Sequence, residues 1–311
     1  MSLLEERVDP EATISQSRFR KILSTGVSRS GPPREKADRK TKFKRGLKSV
    51  LVLSLAVLVS IPLYYIVVSS FKTTVDMALH PLALPDPWMP ENYPIALERA
   101  NMWTGFRNSL ILTGFGVLIQ VFIGSLASYG MIIQNWVFTT AVGVILTIAF
   151  AIPGQATLVP QYMMFARAGL TDSLLGVILL YSAGAIFCYF LMVGYMRGLP
   201  RELIEAARIN GAGPFRIYWR IILPLCKPIL ITVIVFQTMT IWNDFLTPNI
   251  YLPSAQNRTV ILQVYTAVGQ FSTDWPSFMA ITVVALTPVL VFFIFCQRWI
   301  VAGLMAGSVK G

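Results

Sequence analysis

The sequence RELIEAARINGAGPFRIYWRIILP, residues 201–224, lies between two apolar segments, yet it carries four arginines and two glutamates. Pro200 suits a first helical position, Glu202 and Glu205 suit the positive end of a helix, and Gly211 suits the position after a helix ends. This pattern predicts a short helix over about 201–210, followed by a second one, PFRIYWRIIL, that stops at Pro224. A helix of about ten residues is marginal in water, so we expect the first one to lie on a surface. That surface is either a partner protein or the chain itself at the lipid interface.

The remainder of the chain has the composition of a membrane protein. Hydrophobic residues make up 55% and charged residues 13% of its 311 residues, against about 25% charged in a soluble domain. A helix of about 20 apolar residues crosses a bilayer core of ~30 Å and satisfies its own backbone groups. We therefore predict an all-α membrane protein with six transmembrane helices. They fall at about 49–71, 108–133, 135–159, 173–196, 228–243 and 277–297.

Positive charge is concentrated at the start of the chain. Residues 1–48 hold 13 of the 26 Lys and Arg residues, and this tail is rich in Ser and Pro. We predict a disordered basic tail over 1–48 and a transmembrane domain over 49–311.

With six spans, 21 of the Lys and Arg residues fall on one face and 5 on the other. The positive-inside rule then places both termini and the 200–224 loop in the cytoplasm. The tail either touches anionic lipid headgroups or only fixes orientation; we expect no nucleic acid partner.

The opening segment also carries a family signature. EAARINGAGPFRIYWRIILP resembles the EAA motif of permeases of binding-protein-dependent ABC importers, and seven of its fixed positions match. They are Glu205, Ala206, Ala207, Gly211, Ile221, Leu223 and Pro224. WNDFLTPNIYL, the terminal GLMAGSVKG and LPDPWMPENY are similar to stretches of the carbohydrate branch, specifically the maltose-type G subunit. The resemblance covers about 50–311, although Asn210 stands where the family more often has Asp.

This resemblance implies a fold and a set of partners. It implies a type I ABC importer permease with a cytoplasmic coupling helix between helices 4 and 5. The coupling helix would contact a separate ATPase through Glu205, Ala206, Ala207 and Gly211. The implied partners are a second permease subunit, two ATPase subunits, an extracytoplasmic sugar-binding protein and membrane lipid. The implied location is a bacterial plasma (inner) membrane.

The sequence supports a division of labour between this chain and a motor. It contains no GxxxxGK[ST] phosphate loop. We therefore predict no catalytic residue and no cofactor in this chain, with ATP and magnesium bound by the partner ATPase. The three cysteines lie in or beside apolar runs without CxxC spacing, so we predict no metal site. The span interiors lack the acidic residues that proton- or sodium-coupled transporters use, with Asp244 the nearest exception.

A sugar path needs polar side chains inside the membrane. Sugars bind through hydroxyl hydrogen bonds and aromatic stacking, so the candidates are Gln120, Gln155, Gln237 and Asn243, together with Asp244 as a substrate or gate contact. Each can equally be a structural group: the amides as hydrogen-bonding contacts between helices, and Asp244 as a cap at a helix end.

The loop from about 248 to 276 resembles the family segment that contacts the binding protein. Its aromatic residues fit either that role or a belt at the membrane interface; they are Tyr251, Tyr265, Phe271 and Trp275. Two alternatives to a sugar importer remain open here. One is an ABC importer permease for a non-sugar solute, and the other is a secondary transporter or membrane scaffold.

Overall fold

The regular structure is helical wherever the chain is described. The computed structural model describes the backbone over residues 39–133, 137–270 and 274–308, and side chains over 46–133, 137–269 and 274–299. The described chain divides between Ser60 and Ile61 into two compact units. The helices are α1 (Arg39–Ser69), α2 (Thr74–Leu79), α3 (Asn92–Arg99), α4 (Met102–Ile133), α5 (Val137–Ala151), α6 (Leu158–Arg167), α7 (Leu174–Tyr181), α8 (Ala185–Met196), α9 (Glu202–Ile209), α10 (Pro214–Ile217), α11 (Leu223–Leu225), α12 (Lys227–Trp242), α13 (Leu246–Tyr251), α14 (Val260–Gln270) and α15 (Trp275–Ser308).

Four helical stretches in the described ranges are long and apolar enough to cross a membrane without a sharp bend. They are Gly46–Ser69, Met102–Ile133, Leu174–Met196 and Trp275–Trp299. Two more segments are bent pairs: Val137–Ala151 with Gly154–Arg167 at 91°, and Pro214–Leu225 with Lys227–Trp242 at 78°. If each bent pair is one span, the total is the six spans that the sequence predicts. The all-α membrane fold is confirmed.

The two bends were not predicted at their observed positions. The sequence predicts an unbroken third span over 135–159, whereas α5 ends at Ala151 and a 3₁₀ turn begins at Gly154. Pro153 lies at this break. Proline interrupts a helix because it lacks the amide hydrogen and clashes with the preceding turn. Pro224, predicted to end the second short helix, lies inside α11 instead. A π-helical turn over Tyr218–Ile222 precedes it, and we attribute the tolerance of Pro224 to that wider turn. The bend falls at Cys226.

Helix α1 begins earlier than the predicted span. Residues 1–38 of the predicted disordered tail lie outside the described residues, but residues 39–48 are helical. Lys and Arg favour helix about as well as most other straight-chain residues, so the helix extends past its apolar part. The apolar side chains over residues 47–64 are exposed, and Leu53 and Val59 are each 67% exposed. Such a surface needs lipid or another protein to cover it.

Helix α4 is the central packing element of the unit 61–311. It packs against α7, α8, α12 and α14. It approaches α8 closely at Gly124, where an added Cβ would lie 2.5 Å from Cys188 Cβ and 2.8 Å from the Ala185 carbonyl oxygen. One turn later, the Ser128 hydroxyl lies 3.0 Å from the Tyr189 carbonyl oxygen. Small residues spaced four apart let helix backbones approach closely in membranes.

We expect Gly124→Ala to destabilise the protein, because the new methyl group would overlap backbone atoms of α8 that cannot move aside separately. Overpacking of this kind costs about 1–3 kcal/mol. Thermal unfolding of the detergent-purified full chain, followed by tryptophan fluorescence, measures the effect as a lower midpoint. The matched control is Gly114→Ala on the same helix, where an added Cβ meets nothing within 4 Å. Equal midpoints for the two variants would contradict the close approach.

Candidate functional site

The short helix predicted over 201–210 is confirmed as α9, residues Glu202–Ile209. Its end is closed by two hydrogen bonds, from Gly211 N to Arg208 O and from Ala212 N to Ala207 O, each 2.9 Å. This Schellman arrangement places Gly211 in the left-handed region, with φ of +75°. Asn210, at the position where the family more often has Asp, donates its side-chain amide to Ala206 O at 2.9 Å. A polar group therefore completes the helix end without a charge.

The two faces of α9 have different environments. Ala207 is buried and, with the partly buried Ile204, packs in a cluster of the chain's own apolar side chains. Glu205, Ala206 and Gly211 are exposed. Ile204 and Ala207 are three residues apart and therefore lie on one face of α9. Of the four predicted contact residues, Ala207 thus faces the chain's own core and holds α9 in place. The other three lie where a partner could reach them, and their contact role stays a prediction.

Exposed apolar side chains border this charged surface. Ile209 at the end of α9 is 86% exposed, and Phe215 in α10 is 74% exposed. The salt bridges found in the described ranges join Lys72, His80 and Arg99 to acidic residues elsewhere, and none involves Glu205. The α9 surface therefore combines an exposed carboxylate with projecting apolar groups, and clustered exposed apolar groups are typical of protein contact sites.

Two of the predicted path residues contact each other inside the membrane-spanning bundle. The Gln237 amide donates to Gln120 Oε1 at 2.6 Å and also lies 3.2 Å from Gly184 O. Gln120 donates in turn to Tyr181 O at 2.5 Å. Both glutamines are buried. They donate to carbonyl groups beside and within the 3₁₀ turn Ser182–Gly184, which separates α7 from α8. Their observed hydrogen bonds therefore have a structural role.

The remaining path candidates lie in different settings. Asp244 follows α12 and accepts a hydrogen bond from the Tyr181 hydroxyl at 2.9 Å, which links it to the same interrupted span. Asn243 is exposed and donates to Met239 O at 2.8 Å. Gln155 is exposed in the 3₁₀ turn at the bend between α5 and α6. Sequence reasoning missed Tyr181 because its partner is 63 residues away.

At the end of the bundle remote from α9, a loop over 252–259 is held by two anchors. Asp172 Oδ1 accepts from Ser254 N and from the Asn257 amide, each at 3.2 Å. On α4, the Asn108 amide donates to Gln256 O at 2.9 Å and to Arg258 O at 3.0 Å. Hydrogen bonds from Ser254, and then from Asn257, lower the pKa of the Asp172 carboxyl group. The loop is thus fixed from both sides.

The aromatic residues of the 248–276 segment divide by exposure. Tyr251 is buried, and burial raises the pKa of its hydroxyl group. Tyr265 and Trp275 are exposed, and Phe271 lies outside the described residues. Tyr265 and Trp275 can therefore meet a partner or the membrane interface, whereas Tyr251 packs within the chain.

We expect Asp172→Gly to loosen the 252–259 loop. Glycine keeps the left-handed backbone, since φ at Asp172 is +55°, but removes the carboxylate acceptor of Ser254 N and the Asn257 amide. The Asn257 amide keeps its 2.7 Å bond to Asp172 O, so the loss falls mainly on Ser254. Amide hydrogen exchange of the loop at neutral pH should rise about threefold to tenfold, the factor for one lost hydrogen bond. Asp172→Asn, which keeps an acceptor oxygen and tolerates this φ, is the control. Unchanged exchange in Asp172→Gly would contradict the anchor.

The Asp172 carboxylate also makes the loop sensitive to acid. Because its pKa is lowered in the folded state, the ionised group stabilises the loop at any pH above its ordinary pKa. That contribution disappears as the pH falls through the lowered value.

Bent and unbroken membrane helices with an exposed amphipathic helix between two of them make this a multi-pass membrane protein. Residues 104–305 match the family described as binding-protein-dependent transport system inner membrane component. The chain belongs to this family. Sugar permeases are among the relatives that support this assignment, and the expected ABC importer permease class is confirmed.

Two relatives illustrate the similarity. The chain is 35% identical to a probable starch degradation products transport system permease protein, AmyC of Thermoanaerobacterium thermosulfurigenes, over 88% of this chain and 99% of that protein. It is 32% identical to the melibiose/raffinose/stachyose import permease protein MelC of Bacillus subtilis, over 81% and 91% respectively.

Solved structures share the fold. A chain of a bacterial ABC transporter involved in the import of alginate, an acidic polysaccharide, superposes with a TM-score of 0.74 at 22% identity. The alignment covers 84% of this chain and 97% of that one. A chain of the MetNI methionine ABC transporter superposes with a TM-score of 0.51, also at 22% identity, over 69% and 99%.

Proposed function

We propose that this chain is the transmembrane permease subunit of an ATP-driven, binding-protein-dependent importer of a di- or oligosaccharide. The observation that carries the proposal is the exposed, capped helix α9 within the matched family region. The cargo is inferred from the relatives, whose names specify starch degradation products and the sugars melibiose, raffinose and stachyose. The chain forms one half of the translocation path, and a second permease subunit forms the other half.

Energy for transport comes from separate ATPase subunits. In this proposal α9 is the coupling helix and lies in a cleft of one of two ATPases, which bind the ATP and magnesium. The exposed Glu205 pairs with a basic group there, while Ala206 and Gly211 allow close approach. The projecting Ile209 supplies apolar area at the same contact. The chain itself then needs no cofactor, in keeping with the lack of a phosphate loop in its sequence.

The membrane orientation follows from loop charge. The α9 end faces the cytoplasm of a bacterium together with both chain termini, and the 252–259 loop faces outward. A sugar-binding protein docks on the outward side, where Tyr265 and Trp275 are exposed. Of the polar path candidates, Gln155 and Asn243 remain open to a solute.

We expect Glu205→Lys to lower sugar uptake at least tenfold, because it places a positive charge against the basic group proposed on the ATPase. Uptake is measured with labelled sugar in cells that carry the complete transporter, and membrane insertion is checked by immunoblotting. Glu202→Lys is the matched control, since Glu202 is also exposed on α9 but outside the signature. Normal uptake in Glu205→Lys would refute the coupling role.

The cargo is tested with a panel of labelled solutes in proteoliposomes that contain the assembled transporter. We expect ATP-dependent uptake of melibiose, raffinose or maltotriose and none of methionine. Uptake of methionine alone would place the chain in an importer for a non-sugar solute. Uptake that continues without nucleotide would indicate a secondary transporter.

A further inference from the structure

Two tyrosines connect the loop that follows α9 to the central helix α4. The Tyr129 hydroxyl of α4 donates to Pro214 O at 2.7 Å. The Tyr218 hydroxyl lies 2.7 Å from Ser125 Oγ, also on α4. The two rings pack together with centroids 5.2 Å apart. The Ser125, Tyr129 and Tyr218 side chains are buried, and Tyr218 is only 1% exposed.

The spacing of these contacts makes them a two-point attachment. Ser125 and Tyr129 are four residues apart on α4, and Pro214 and Tyr218 are four residues apart at the starts of α10 and of the π-helical turn. Residues four apart lie on one helix face, about one turn from each other. One hydrogen bond fixes a distance, whereas two bonds a turn apart also fix the rotation of one helix against the other. The loop therefore cannot pivot without moving α4.

The other side of the attachment is joined closely to α9. Only residues 210–213 separate α9 from α10, and the hydrogen bond from Ala212 N to Ala207 O closes that turn. Ala207, Ile217 and Tyr218 belong to one buried apolar cluster. Helices α9 and α10 are therefore packed as one body, and a displacement of α9 reaches Pro214 and Tyr218 directly.

The covalent route from the loop into the membrane is less direct. After Tyr218 the chain forms a π-helical turn and then bends by 78° before α12 begins at Lys227. A π-turn and a sharp bend both interrupt the regular hydrogen bonds that make a helix stiff. Helix α4, by contrast, is continuous over 32 residues and packs against α7, α8, α12 and α14.

We propose that Tyr129 and Tyr218 are positioning residues that transmit movement of the coupling helix to α4 and through it to the other spans. The proposal rests on the proposed function, since it assumes that α9 is moved by an ATPase. The tyrosines touch neither sugar nor nucleotide in this role. Their contribution is a coupling free energy between the two ends of the subunit.

The test uses the complete transporter in proteoliposomes and measures labelled sugar taken up per ATP hydrolysed. Tyr129→Phe and Tyr218→Phe each remove one hydroxyl group and keep the ring. We expect the ratio to fall about threefold to tenfold in each variant, the factor expected for one lost hydrogen bond. The amount of assembled transporter should not change. A purely structural role would lower that amount and leave the ratio of the surviving complexes unchanged.

A control and a double-mutant cycle make the test specific. Tyr195→Phe is the control, because Tyr195 packs against the same cluster and its hydroxyl has no hydrogen bond in the described ranges. Ser125→Ala should match Tyr218→Phe, and the two together should be no worse than either alone, because both remove the same bond. An unchanged ratio in the Tyr129→Phe/Tyr218→Phe double variant would overturn the proposal.

The outcome is separable from that of the proposed function. If Glu205→Lys abolishes uptake while the tyrosine variants keep the normal ratio of sugar taken up per ATP, only the proposed role of Tyr129 and Tyr218 fails. If the unmodified transporter shows no ATP-dependent uptake, the coupling function itself fails.

Discussion

The structure depends on the close packing of α4 against α8. Inside a bilayer, lipid tails are as apolar as leucine, so burying apolar area does not hold two helices together. The absence of a side chain at Gly124 allows backbone contact, and the Ser128 hydroxyl lies within hydrogen-bonding distance of Tyr189 O. This contact fixes α4 as a central axis on which the bent segments and the α9 loop are placed.

The lack of water in the membrane core also constrains the interrupted helices α7 and α8. A break in a helix frees carbonyl groups that water cannot reach in the membrane core, and each unsatisfied group costs several kcal/mol. Gln120 and Gln237 supply amide donors at the break between α7 and α8. Gly184 makes room for them, since an added Cβ there would lie 2.4 Å from Gln120 Nε2. The break is therefore held in one arrangement by side chains of two other spans.

Local patterns in the sequence predicted much of this arrangement, and long-range contacts could not be predicted from them. The limits of α9 followed from the glutamates and Gly211, and the spans followed from apolar length. The inward orientation of Ala207 was missed because the cluster that buries it is assembled from several helices, among them Met196 of α8 and Ile217 of α10. The Gln120–Gln237 and Ser125–Tyr218 bonds join residues 117 and 93 apart in sequence. Side-chain type marks such residues as polar within a span, but it does not say which of them meet.

The doubly anchored 252–259 loop affects the speed and fidelity of any docking event at that face. A flexible loop loses conformational entropy when it is ordered by a partner, at about 1–2 kcal/mol per residue of backbone. Because Asp172 and Asn108 already hold this loop, most of that loss has occurred during folding. A visiting protein therefore meets a surface of fixed shape, which favours recognition by shape complementarity and disfavours partners that need the loop to remodel.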